Sequence, residues 1–299
     1  MKNLKLIFFL FVININLSFA FDINSKTINF INPFPPGGGV DRVFRPLEKY
    51  SLDKKINFVT IYKPGADGII AMNELTKMPN DGYTIAIVTA GVIAEYELTY
   101  PNSKFTIITG INDTIGAFVV RPNIGINNIK DLEKALQQGN DIKFGYGAPA
   151  QKILLQQFFK LSKLKQEPML VPYKGGLQAV NAVLGDQIDV VRVPFILVKP
   201  FIDSGQLKLL AVTRKKIKGY SAPTIESVYP TWQEIDGYGV IAPPNVDTTT
   251  VKVWSDYLES YLETKSVREE FEKDYIVGLP FGEKNFRQII DTIKLWKTN

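Results

Sequence analysis

Short apolar or β-branched runs alternate with stretches of helical spacing along most of the chain. Residues 27–32 (TINFIN) read as a first strand that ends in a turn rich in Pro and Gly. Residues 40–50 have helical spacing, with Val43, Phe44 and Leu47 on one side. Pro46 inside that stretch is expected to kink the helix or shift its frame, because it lacks an N–H. Residues 56–62 form a second strand, 69–78 a second helix and 83–88 a third strand. This βαβαβ rhythm predicts a mostly parallel sheet with helices on both faces.

The rhythm then restarts. Strands are predicted at 118–121, 142–146, 169–172, 189–193 and 207–213, with helices over 132–138, 151–161 and 177–184. Asn128 is placed to cap the first of these helices. Residues 237–243 form one more strand, and the remainder reads as helical over 248–264, 267–274 and 285–297. Two α/β units followed by a helical tail imply that the chain crosses between lobes twice, near residues 112 and 233. The expected division is 21–112 with 233–299 in lobe 1, and 113–232 in lobe 2. No period of the length used by solenoids repeats.

Composition narrows the function. At 299 residues the chain is too long for one ordinary core, and 45% hydrophobic with 22% charged residues is a globular balance. The formal charge of +5 includes Lys2 and Lys5, and the remaining excess is spread without a Lys/Arg stripe. No nucleic-acid partner is expected, while small anions would be attracted. Cysteine and histidine are both absent. That removes disulfides, thiolate nucleophiles, most hydrolase triads and most transition-metal sites. No catalytic residue, cofactor or metal is therefore assigned.

Residues 1–20 read as a secretory signal. Lys2 and Lys5 give a positive start, residues 6–15 are apolar apart from Asn14, and Ser18-Phe19-Ala20 supplies the small residues of a cleavage site. The apolar run is short for a bilayer span, which needs about 20 residues. Cleavage after Ala20 and a periplasmic, non-embedded mature protein are expected.

Glycine-rich strand-to-helix turns carry the candidate chemistry. The first, residues 32–41 (NPFPPGGGVD), places Gly37, Gly38 and Gly39 where a helix begins. A helix N-terminus presents free N–H groups and partial positive charge, and glycine lets a carboxylate approach the backbone. Asp41 falls in the first helical turn and favours the dipole. The G-x-G-x-x-G spacing of a dinucleotide site is missing. Residues 63–68 (KPGADG) and 79–83 (PNDGY) are better explained as structural turns. Thr89 offers a hydroxyl beyond the third strand, against the alternative of simple helix capping. In the second half, residues 145–151 (GYGAPAQ) and 171–176 (VPYKGG) again lead from strand to helix. Helix N-termini from the two halves would then face one another across an anion.

These segments occur in a fixed order: PFPPGGGVDR at 33–42, KPGADG at 63–68, PNDGYT at 79–84, VPYKGGLQAV at 171–180, GDQID at 185–189 and LKLLAVT at 207–213. In that order the chain closely resembles the solute-binding receptors of tripartite tricarboxylate transporters, the Bug family. The resemblance implies an α/β periplasmic-binding-protein (Venus-flytrap) fold, with two mostly parallel sheets joined by two crossover strands. It implies a monomer that captures a small carboxylate between its lobes and delivers it to a two-subunit membrane permease.

Mapped by the resemblance, lobe 1 contributes Phe34, Pro36, Gly37, Gly38, Gly39, Asp41, Thr89 and Ala90 to the ligand. Lobe 2 contributes Ala148, Ala150, Gln151, Tyr173, Lys174 and Gly175. Two departures stand out. Ile153 occupies a position where the family commonly has His, and Arg192-Val193 replaces a Phe-Asp pair. A guanidinium in place of a pocket acid implies a more negatively charged ligand without an amine, because Arg grips carboxylate in a fork. The alternative for Arg192 is an interlobe or surface salt bridge. Two other functions remain in view: a sensory accessory that signals to a membrane kinase, and a secreted enzyme using carboxylates. The enzyme would need several acids in the cleft, where Asp41 alone is expected.

Overall fold

The computed structural model describes residues 21–298; the expected signal segment and its cleavage site lie outside them. Within this range the chain forms β1 (Ile28–Asn32), α1 (Gly39–Leu52), β2 (Phe58–Tyr62), α2 (Ile69–Leu75), β3 (Thr84–Thr89), α3 (Ala90–Thr99) and β4 (Thr106–Thr114). There follow β5 (Gly116–Val120), α4 (Ile129–Gln137), β6 (Phe144–Tyr146), α5 (Pro149–Leu161), β7 (Leu170–Pro172) and α6 (Gly176–Leu184). Then come β8 (Val190–Pro194), α7 (Phe195–Asp203), β9 (Lys208–Val212) and α8 (Ile225–Val228). The chain ends with β10 (Tyr238–Ala242), α9 (Thr248–Glu263), α10 (Lys265–Lys273), β11 (Ile276–Gly282) and α11 (Glu283–Thr298).

Two sheets organise two lobes. The first has six strands in the order β11-β4-β10-β3-β1-β2, and the second has five in the order β7-β6-β8-β5-β9. Both are mixed rather than mostly parallel. Strands linked by a helix pair in parallel, as β1 does with β2 and β3, and β6 with β7 and β8. Strands next to a crossing run antiparallel: β10 lies between β3 and β4, and β5 between β8 and β9. A chain that leaves one sheet and later returns has no crossover helix to restore its direction, so antiparallel pairing follows.

The chain passes from the first sheet to the second at Ile115, between β4 and β5. It returns through residues 229–237 after a last bridge between Val212 and Thr224. Two ion pairs lie at these crossings, Arg192 with Glu234, buried on both sides, and Arg214 with Asp113, whose guanidinium is partly exposed. The Gly116 N–H also donates to the Thr213 hydroxyl at 2.8 Å. Among the described residues no helix is long and apolar enough to cross a membrane.

Several elements depart from expectation for identifiable reasons. Pro46 does not break α1, which runs as one helix from Gly39 to Leu52 with Pro46 buried inside it. Between the expected helices 267–274 and 285–297, where no element is predicted, lies β11, held on the edge of the first sheet by β4. Helix α3 shows no amphipathic period because it is enclosed: Ala90 through Ala94, Tyr96 and Glu97 are all buried. The Asn128 cap is as expected, its side chain accepting the N–H groups of Lys130 and Asp131 at 2.9 Å each.

The C-terminal helices pack on the first lobe. Trp254 of α9 is fully buried and its indole N–H donates to the Gly82 carbonyl at 2.9 Å. This explains the PNDGY turn as a docking point for the tail. Replacing Trp254 with Ala should cost about 3–5 kcal/mol of unfolding free energy, measured by urea denaturation; a loss below about 1 kcal/mol would show that the tail docks without it.

Candidate functional site

The N-terminal ends of four helices converge between the lobes. From the first lobe come α1, entered through the triple-glycine turn, and α3, entered at Thr89. From the second come α5, entered at Ala148, and α6, entered at Gly175. The opening N–H groups of α1 and α6 have no partner within the helix and supply donors to the cavity. Helix α3 supplies fewer, because its first N–H is taken by the Gly237 carbonyl, and so does α5, because it opens with Pro149, which has no N–H. Pro35, Gly38, Gly39 and Thr89 line one side; Gly147, Ala148, Gln151, Gly175 and Gly176 line the other.

The lobes are closed on one another. The cavity has a volume of about 30 Å³, room for one or two waters. A Cβ built on Gly91 of α3 would stand 2.7 Å from the Ala150 backbone nitrogen of α5. One on Gly175 would stand 3.1 Å from Pro35 of the opposite lobe. Closure to this distance requires glycine at position 91, where a Cβ would meet backbone; a Cβ at position 175 would need Gln178 and Pro35 to give way. Any ligand larger than a few atoms requires the lobes to part.

The expected site residues separate into groups. Phe34, Gly38, Gly39, Thr89, Ala148, Gln151 and Gly175 line the cavity. Tyr173 and Lys174 line an adjoining hollow of about 240 Å³, shared with Phe34, Gly65, Asp67 and Gly147. The KPGADG turn thus borders the mouth of the cleft. Pro36, Gly37, Asp41, Ala90 and Ala150 are not part of the wall: Pro36 is exposed, Gly37 faces Leu177 of the other lobe, and Asp41, Ala90 and Ala150 are buried.

Their hydrogen bonds explain the placement. Asp41 is 2% exposed and accepts the Gly37 N–H at 2.6 Å and the Asn32 side-chain amide at 2.7 Å. Its carboxylate holds the glycine turn in shape instead of facing a ligand. Gly37, with φ of 82°, is the residue of that turn whose backbone requires glycine. The Ala90 N–H is engaged by the Gly237 carbonyl at 2.9 Å. In the second lobe Gln151 accepts the Gly147 N–H at 2.8 Å through Oε1, which turns its amide nitrogen toward Gly176.

Arg192 is paired elsewhere. It is 3% exposed, it is absent from the cavity wall, and its guanidinium is bound to Glu234 beside Gly116. This guanidinium is neutralised at the crossing strands, away from the cavity wall. The salt-bridge alternative describes it.

Sequence reasoning missed Asp236, Tyr238, Gln178, Pro194 and Leu197, which complete the wall. Asp236 is 8% exposed, and among the described residues its hydrogen-bond donor is the Gly237 N–H at 2.9 Å. Burial, reinforced by the neighbouring Asp113, pushes its carboxyl up to about 7. Burial likewise raises Glu234, against the opposing pull of Arg192. The Tyr238 hydroxyl, also raised by burial, points at the Gly39 backbone, where a Cβ would lie 2.5 Å away. The signal that could have exposed Asp236 is an acid set immediately before a strand, just past the expected second crossing.

The Asp236 shift has a stability consequence. A carboxyl whose folded value exceeds its unfolded one binds a proton more tightly when folded, so stability falls as pH rises from about 4 to about 7. Asp236→Asn should remove that component. Its melting temperature relative to the parent protein should rise progressively across the same window in a pH series; a constant difference would contradict the assignment.

Comparison with known proteins fits this geometry. The family model for the tripartite tricarboxylate transporter family receptor matches residues 45–297. Protein BugT of Bordetella pertussis is 24% identical over 290 residues, covering 91% of this chain and 87% of its own length. The structure of the periplasmic binding protein BugD superposes with a TM-score of 0.78 at 24% identity, covering 91% of this chain and 94% of that one. MatC from Rhodopseudomonas palustris, solved with bound malate, gives 0.79 at 18% identity and covers 91% and 98%. A second R. palustris protein, Rpa4515, solved with adipate, gives 0.82 at 21% identity and covers 93% and 97%. These neighbours share the two-lobed fold. The chain belongs to the tripartite tricarboxylate transporter receptor family, and it is a solute-binding protein rather than an enzyme.

Proposed function

We propose that this protein captures a small carboxylate between its lobes in the periplasm and delivers it to a two-subunit membrane permease. One observation carries the reading: helix N-termini from both lobes meet at a single cavity whose glycines let a ligand reach the backbone. Malate and adipate in two neighbours of the same fold support the ligand class. In this reading 21–112 with 233–299 and 113–232 act as the two jaws. Cleavage after Ala20 frees the mature, monomeric receptor.

The mechanism follows from differential contact. An open form offers each helix end to water. A carboxylate placed between them gains charge-assisted hydrogen bonds from both lobes only when they close, so ligand favours the closed state by that difference. Gln151, with Nε2 directed along the cavity wall, supplies a side-chain donor from the second lobe.

Two measurements test the proposal. In a thermal-shift panel of dicarboxylates and other organic acids, a true ligand at a hundredfold excess over its Kd should add about 2.7 kcal/mol of stability; a panel of carboxylates without a single shift would contradict the reading. Gly91→Leu should wedge α3 away from α5, enlarge the radius of gyration seen by X-ray scattering and weaken the ligand at least about tenfold. Unchanged affinity and radius would show that the observed closure is not the liganded one.

A further inference from the structure

The cleft carries a negative pole as well as its amide-rich one. At its wall and behind it, beside the strands that cross between lobes, are five charged side chains: Asp113, Glu234 and Asp236 with Arg192 and Arg214. Arg214 is bound to Asp113 and Arg192 to Glu234. Two guanidiniums are thus consumed by two carboxylates, and Asp236 is left without an ion pair among the described residues. It is the acid of the group that lines the cavity.

A second observation at the same place points to a guest. Thr89 also lines the cavity and is 4% exposed, yet among the described residues its hydroxyl has no hydrogen-bond partner. It stands at the start of α3 but does not cap it. A buried hydroxyl left unpaired is costly unless something else satisfies it. Thr89 and Tyr238 are directly paired across β3 and β10, and Asp236 precedes Tyr238 by two residues. Two acceptors, the Asp236 carboxylate and the Thr89 hydroxyl, therefore sit on the first-lobe side of the cavity.

We infer that Asp236 and Thr89 form a subsite for a protonated amine, so that the ligand is an amino carboxylate whose anionic end lies on the helix N-termini. This rests on the carboxylate-receptor reading and refines it. An ammonium carries three donors and no acceptor, and it completes the ion-pair count that the two arginines leave short by one. Its charge also resolves the cost of holding a buried acid beside Asp113. The ligand implied by a free Arg192, rich in negative charge and lacking an amine, is thereby replaced by a zwitterion.

Calorimetric titration with matched pairs tests the subsite: glutamate against glutarate, and alanine against propionate. The amino member of a pair that binds should be at least about tenfold tighter. Asp236→Asn keeps the shape and removes the charge, and should weaken the amino acid by about thirtyfold or more. Thr89→Val should weaken it less, by several-fold. Affinity for the amino acid should rise from mildly acid to mildly alkaline pH as Asp236 ionises among Asp113, Glu234, Arg192, Arg214 and Tyr238. A carboxyl acting instead as a neutral donor to a ligand carboxylate gives the opposite pH trend and a tolerant Asp236→Asn. Either that pattern or equal affinity within a binding pair overturns the inference while leaving the receptor intact. If no member of any pair and no other carboxylate binds, the receptor reading falls and the subsite with it. Should Asp236→Asn misfold, the comparison within pairs on the parent protein still decides.

Discussion

Everything in this molecule is arranged around the approach of two helix ends across a gap. The start of α3 on the first lobe meets the start of α5 on the second so closely that a single Cβ on Gly91 would strike the backbone at Ala150. Helix N-termini repel one another through their partial positive charges. Bringing several of them together in a closed, low-dielectric space is favourable only when an anion lies among them. The architecture therefore stores its specificity in backbone placement. Glycine supplies the access and Asp41 the rigidity, since its carboxylate is committed to the turn that it shapes.

The crossing strands serve the same geometry from behind. Ile115 and residues 229–237 are the places where the chain passes between sheets, and beside them lie the buried Arg192–Glu234 pair, the partly exposed Arg214–Asp113 pair and the Thr213 hydrogen bond. Pairs of this kind contribute little net stability when set against apolar packing, but breaking one strands a buried charge. They fix the orientation of the connecting strands, and so the register in which the jaws meet. Asp236 sits on this return path, which gives the ligand cavity a direct electrostatic link to the hinge.

Much of the fold was legible from local pattern, because β1 to β3 and β6 to β8 are βαβ units whose periodicity is written in neighbouring residues. The turns that open α1, α5 and α6 were legible for the same reason: glycine at a strand-to-helix junction has few other uses. What escaped depends on distant partners. Arg192 looked available because Glu234, which neutralises it, lies 42 residues further on. Asp236 and Tyr238 looked unremarkable because the segment that carries them, the approach to β10 and its first residue, enters the first sheet from the other lobe. β11 was hidden for a related reason, since an edge strand paired with β4 needs no helix-like or alternating signal of its own.

Backbone amide chemical shifts, followed by NMR while a bound carboxylate is titrated into the labelled protein, test the central claim most directly. The account predicts that Gly38 and Gly39 in one lobe and Ala148 and Gly175 in the other respond together, with a common binding constant. Shifts confined to one lobe, or clustered on an outer surface with these four amides unmoved, would contradict it.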